Sequence, residues 1–173
     1  RGTIWKCPVV EQGRTHARNL GYSLMLDDSS MSAPGLPDYL MIFRKPGDNA
    51  VPIKHTIDSF PLEQWQEWAS PVWMTINQTD VIGGRRETGA AKEQNDERHV
   101  CPLQLPIIMR SLILWSNPGE VVLSPFAGIG SEGYESLKHG RKFVGIELKK
   151  SYFDQAVSNL SAIEGQGNLF AAW

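Results

Sequence analysis

The hydrophobic and polar positions of this chain divide at residues 83–98 (GGRRETGAAKEQNDER), a charged, aperiodic run that predicts an exposed loop between two regions. In the first region, Thr3–Cys7 (TIWKC) has the β-branched and aromatic content of a short strand, ended by Pro8. Tyr39–Arg44 (YLMIFR) predicts a second strand, closed by the turn signal Lys45-Pro46-Gly47. The polar stretch between them, with Arg14, His16, Arg18 and the run Asp27-Asp28-Ser29-Ser30, predicts loop. Ser59 is placed to cap a helix starting near Pro61, with Leu62, Trp65 and Trp68 or Ala69 on its buried face and Ser70-Pro71 as its stop.

The second region has stronger periodicity. Leu105, Ile108, Met109 and Leu112 fall on one helical face, and Asn117-Pro118-Gly119 ends that helix. Val121–Ser124 predicts a buried strand, and Ser131–His139 a helix with Ser131 as cap and Gly140 as terminator. Glu132 and Glu135 stand where the positive end of that helix favours carboxylates. Phe143–Glu147 (FVGIE) predicts another strand. Ser151 and Asp154 resemble a capping box, and Phe153, Ala156, Val157, Leu160 and Ile163 form the face of a last helix. Helix, strand, helix, strand, helix is the order of a parallel βαβ unit with a right-handed crossover, which makes the fold class α/β.

Composition changes this picture little. The 173 residues are 41% apolar, enough for one compact domain, and the net charge of -2 leaves any nucleic-acid surface to local features. Arg14 with Arg18, or Arg85 with Arg86, could supply such contacts, with a solvated face as the competing reading. The two cysteines, Cys7 and Cys101, and His16, His55 and His139 have no metal-ligand spacing, so no metal is expected. No apolar run reaches the roughly 18 residues of a membrane span and no signal pattern opens the chain, so a cytoplasmic protein without membrane attachment is expected.

The chemistry concentrates in Val121–Gly133 (VVLSPFAGIGSEG), a strand running through a glycine-rich loop into a helix. Gly128 and Gly130 permit backbone geometry and a close ligand approach that a β-carbon would obstruct. Glu147 ends the next strand, where its carboxylate can accept hydrogen bonds from two ribose hydroxyls. Together they describe an adenosine-binding site at the carboxyl ends of two parallel strands, against the plainer reading of a tight connection and a solvated acid. Read literally, residues 128–133 are also G-x-G-x-x-G, the fingerprint of dinucleotide oxidoreductases. In that fingerprint the strand runs straight into the first glycine, whereas here Ser124-Pro125-Phe126-Ala127 intervenes, and only residues 134–173 follow.

SPFAGIG closely resembles the D-P-F-A-G-x-G signature of DNA amino-methyltransferases, which methylate adenine N6 or cytosine N4 from S-adenosylmethionine. His99-Val100-Cys101-Pro102-Leu103-Gln104-Leu105-Pro106 is similar to the family segment before the preceding helix. That order, with the loop near the C-terminus, resembles the β permutation class. The resemblance is specific over residues 99–163 and looser over residues 1–47, where Asp38–Gly47 looks like a late strand and turn and Thr3–Lys6 like the strand beside it. It implies a partial Rossmann-like S-adenosylmethionine-dependent methyltransferase fold with a mixed sheet, in one incomplete domain over residues 1–173. Residues 1–47 would give late strands, 48–98 a target-recognition-like or loop region, and 99–173 the cofactor-binding region. Ser124, Phe126, Ala127, Gly128 and Gly130 would meet the methionine part of the cofactor, Glu147 the ribose, and His99, Pro102 and Leu103 the cofactor's border.

Two departures stand out. Ser124 occupies the position where the family has aspartate, so a charge-assisted contact to the methionine ammonium becomes neutral or moves elsewhere. The catalytic tetrad, a polar residue followed by Pro-Pro and an aromatic, has only a weak near-match in Ser70-Pro71-Val72-Trp73, better explained as a helix stop with a core tryptophan. Catalytic residues are therefore expected outside this chain, in an N-terminal segment of the same protein. DNA is the expected partner, and a non-catalytic cofactor- or DNA-binding module is the alternative function.

Overall fold

The computed structural model describes residues 2–4, 26–28, 30, 38–77, 79–83 and 102–170. The chain forms two compact units, Arg1–Gln78 and Thr79–Trp173. Among the described residues, the strands pair within each unit, antiparallel in the first and parallel in the second.

In the first unit, β1 (Gly2–Ile4) pairs antiparallel with β2 (Asp38–Leu40), with Thr3 opposite Tyr39. β2 is shorter than the expected Tyr39–Arg44. Leu40 lies opposite Gly2, and Met41–Arg44 pair with no strand among the described residues. The turn after them forms as expected, with Gly47 at φ 105° and Arg44 Nη2 donating to Gly47 O at 2.9 Å. α1 (Leu62–Trp68) starts after Pro61 without a side-chain cap. Ser59 Oγ instead accepts from Thr56 N at 2.8 Å, closing a local turn. The expected buried face is only partly buried: Trp68 is inside, whereas Leu62, Trp65 and Ala69 are exposed. Two helical turns reach the small core with their last residue, where Trp68 meets Phe60 edge-on at 5.3 Å.

The second unit contains α2 (Leu105–Trp115), β3 (Val121–Ser124), α3 (Ser131–Lys138), β4 (Lys142–Gly145) and α4 (Lys150–Phe170). β3 and β4 are parallel, Val121 opposite Lys142 and Ser124 opposite Gly145, with α3 as the crossover. α3 packs against α2, α4 and both strands, and its Ser136 is fully buried. Gly133 makes that packing possible: a Cβ there would lie 2.6 Å from Phe143 Cδ1 and 2.9 Å from Leu160 Cδ2.

Several local expectations are corrected here. Ser131 is the first helical residue, and Gly130, at φ 88°, is the cap. Glu135 does not serve the helix start; it is buried, 3.0 Å from His139 Nε2 and 3.5 Å from Lys138 Nζ, in the last turn. α4 starts at Lys150, so Ser151 is not a cap, and Asp154 pairs with Lys150 Nζ at 2.7 Å. On α4, Ala156 is buried whereas Phe153 and Val157 are half-exposed. β3 is not the buried strand expected from its composition, since Val121 and Leu123 lie largely exposed.

Arg141 fixes the direction of α2. Its guanidinium donates to Ser116 O at 2.7 Å, Leu112 O at 3.2 Å and His139 O at 2.6 Å, and its Nε to Ser116 Oγ at 3.1 Å. Burial pushes its pKa down from the usual arginine value, and the Glu120 carboxylate opposes that shift. A cation thus occupies the negative end of α2 at the very residue that precedes β4. The C-termini of α2 and α3 therefore share the end where the strands begin, and both N-termini point to the end where the strands finish.

Gly133→Ala tests this packing. Overpacking against the Phe143 ring costs about 1–3 kcal/mol, which exceeds the ~1 kcal/mol by which alanine is the better helix former. Urea unfolding is expected to show a net loss of stability, and a variant at least as stable as the unaltered protein would contradict the packing described.

Candidate cofactor site

The site grows out of the two parallel strands. Beyond Ser124 the ladder continues by one bond, Ile146 N donating to Ser124 O at 2.9 Å, and the loop returns to it through Ala127 N donating to Ile146 O at 2.9 Å. Gly145 makes room for that return, because a Cβ there would lie 2.9 Å from Ala127 Cβ. Gly130 N then donates to Ala127 O at 2.8 Å, and Asn159 Nδ2 of α4 donates to Ile129 O at 2.8 Å. Residues 125–130 are thus tied to β4 on one side and to α4 on the other.

Glu147 closes the arrangement. One carboxylate oxygen accepts from Gly128 N at 2.8 Å and the other from Lys149 N at 2.8 Å. The Lys149 amide is the main cause that holds this carboxyl below the usual carboxylate range. The Gly128 and Leu148 amides and the Lys149 charge add to it, against a partial desolvation that pushes upward. Each oxygen retains a further lone-pair direction for a ligand donor.

The two glycines differ in what demands them. Gly130 (φ 88°) lies so close to α4 that a Cβ would come within 3.1 Å of Ala156 Cβ. Gly128 (φ 52°) needs glycine for its left-handed backbone alone, since a Cβ there would meet nothing within 4 Å. That open space above a backbone turn is where a ligand can approach closely. Phe126 (85% exposed) and Leu148 (98% exposed) flank the strand ends, one following each strand, while Ser124 and Ala127 are buried beneath the loop.

Of the other residues singled out from sequence, Pro102 and Leu103 lead into the N-terminus of α2, and His99 lies outside the described residues, as do Arg14, His16, Arg18, Arg85 and Arg86. Ser70 and Trp73 belong to the first unit. Ser70 Oγ donates to Val72 O at 2.9 Å, and Trp73, 3% exposed, donates Nε1 to Trp68 O at 2.9 Å. A ring held that way has no face free to stack on a base. Sequence reading missed Gly145, the Lys149 amide and Asn159, because no local pattern marks the close approach of Gly145 to Ala127, an amide that folds back on Glu147, or a helix side chain that reaches Ile129 in the loop.

A parallel strand pair, a glycine loop with left-handed turns and an acid at the second strand's end are the parts from which nucleoside-cofactor sites of the α/β class are built. A family of proteins described as DNA methylases matches residues 26–158, and this chain belongs to that family of N6/N4 DNA amino-methylases. It is 39% identical over 88 residues to the type II methyltransferase M.ScaI of Streptomyces caespitosus, a stretch covering 50% of this chain and 29% of that protein. It is also 39% identical over 67 residues to the DNA adenine methyltransferase YhdJ of Escherichia coli (strain K12), covering 38% of this chain and 23% of that one. The matched stretches thus span less than a third of either relative. Among solved structures, TTHA0409 of Thermus thermophilus, described as a putative DNA modification methylase, superposes with a TM-score of 0.56 at 22% identity, over 76% of this chain and 47% of that one. The fold is thereby that of a partial Rossmann-like methyltransferase.

The depressed Glu147 carboxyl gives a pH test. Its contribution to holding the loop is complete above the ordinary carboxylate pKa and is lost as pH falls through the lowered value. The melting-temperature gap between the unaltered protein and Glu147→Gln is expected to be widest near neutral pH and to close in acid. A gap that stays constant across that range would remove the carboxylate from the loop's support.

Proposed function

We propose that this chain is the cofactor-binding part of a DNA amino-methyltransferase, which transfers a methyl group from S-adenosylmethionine to adenine N6 or cytosine N4. The observation that carries the reading is the Glu147 carboxylate bonded to the Gly128 amide beneath open space. Family membership and relatives named as methyltransferases support it.

The residues fit the cofactor. Glu147 keeps acceptor capacity for the ribose hydroxyls, the backbone at Gly128 lies open for the methionine part, and the exposed Phe126 and Leu148 side chains offer apolar surface beside them. When bound, S-adenosylmethionine supplies an electrophilic methyl group on sulfur, which the exocyclic amine nitrogen of the target base takes in a single displacement. This chain's residues bind and orient that donor. An acceptor that aligns the amino group, and an aromatic that stacks on the flipped base, are required besides.

Those groups we assign to a further segment of the same protein, N-terminal to this one. Val121, Leu123, Val144 and Ile146 are half or more exposed, and β3 pairs with β4 alone among the described residues. A parallel strand along that edge would cover apolar surface and satisfy its backbone groups. Residues 48–98 take the place of target recognition in this reading.

Calorimetry with S-adenosylhomocysteine is expected to show binding to the 173-residue chain, weakened roughly tenfold in Glu147→Ala. Unchanged affinity in that variant would take Glu147 out of the site. With tritiated S-adenosylmethionine and mixed-sequence DNA, the chain by itself is expected to give no labelling, and the chain joined to its tetrad-bearing segment to label DNA. Labelling by the isolated chain that is lost on Ser70→Ala or Trp73→Ala would locate the catalytic group in the first unit instead.

A further inference from the structure

Ser124 leaves the end of β3 without a negative charge, and the first carboxylate along the chain after it is Glu132, in the first turn of α3. At helical spacing Glu132 shares a face with Glu135 (2% exposed) and Ser136 (0% exposed). Its side chain therefore leaves the helix on the packed side, away from the solvent side that carries Lys138. A helical side chain leans back toward the N-terminus of its own helix, which for Glu132 is the left-handed turn at Gly130. The carboxylate thus lies toward the glycine loop, at the end where β3 and β4 finish, and it is only half-buried there.

Among the described residues, this carboxylate forms no ion pair. Lys138 and His139 turn to Glu135 at 3.5 and 3.0 Å, Lys150 turns to Asp154 at 2.7 Å, and Lys149 Nζ stands 4.4 Å from the centre of the Tyr152 ring. Burial pushes the Glu132 carboxyl up from the usual carboxylate value, opposed by its own backbone amide and by no cation. The positive end of α3 offsets part of that cost. A cation arriving at the open side of the carboxylate would remove more of it.

We propose that Glu132 is the counter-ion of the α-ammonium group in the cofactor's methionine part, so that the negative charge missing from the end of β3 is carried by the first turn of α3. This rests on the adenosylmethionine reading of the site. A ligand with its ribose at Glu147 and its amino-acid chain along the loop ends at this turn, and the ammonium is the cationic donor at that end. Ser124, buried beneath the loop, offers it only a neutral acceptor, and a charge-assisted bond is about twice as strong. A carboxylate serving the helix dipole alone would bear on the stability of α3 and not on which ligand binds.

The test compares S-adenosylhomocysteine with its deamino analogue, which keeps the adenosine, thioether and carboxylate but lacks the ammonium. Calorimetry on the unaltered chain is expected to show S-adenosylhomocysteine bound roughly tenfold more tightly than the analogue. In Glu132→Gln, which keeps the shape and removes the charge, the preference is expected to shrink to within about twofold, through weaker S-adenosylhomocysteine binding with the analogue unchanged. Thermal unfolding verifies that the variant folds. Equal affinity for the two ligands in the unaltered chain, or a preference that survives in Glu132→Gln, would overturn the assignment while leaving the site reading intact. Equal losses for both ligands in the variant would make Glu132 a support of the helix start and overturn it as well. If the unaltered chain binds neither ligand, the site reading fails and the assignment falls with it.

Discussion

The bond from the Gly128 amide to the Glu147 carboxylate joins the ends of the two parallel strands, and the site depends on it. A loop with two left-handed glycines is conformationally costly and has no side chains of its own to pin it. Here the cost is offset from three directions: the β4 carbonyl at Ile146, the Glu147 carboxylate and the Asn159 carboxamide of α4. The result is a turn whose backbone is fixed and whose outer surface stays bare at Gly128. Rigid placement with open space is what a cofactor held at its own backbone distance requires.

Arg141 acts at the opposite end of the strands, where it binds the last carbonyls of α2 and sets the direction of that helix. Two polar anchors, one at each end of the βαβ unit, thus orient three helices around two short strands. Between them Gly133 lets α3 lie against Phe143 and Leu160 at a distance no larger residue allows.

Legibility in the sequence followed the range of the interactions. The Val121–Ser124 strand and the crossover helix could be read because each is written in consecutive residues, whereas the bond from Gly128 to Glu147 joins residues 19 positions apart and could not. Local caps were less legible. Ser59, Ser131 and Ser151 all have the right chemistry, yet Thr56 claims the first and earlier helix starts displace the other two. Burial was least legible, because an apolar strand is read as buried whatever covers it. Val121 and Leu123 are exposed, and the Leu62 and Trp65 side chains lie outside the small core of the first unit.

A crystal structure of the chain with S-adenosylhomocysteine tests the central claim most directly. Density is expected at the carboxyl ends of β3 and β4, the ribose hydroxyls donating to Glu147 and the amino-acid chain lying along residues 126–130, with the Gly128 amide still bonded to Glu147. Ligand density elsewhere on the chain, with this loop left bare, would contradict the account.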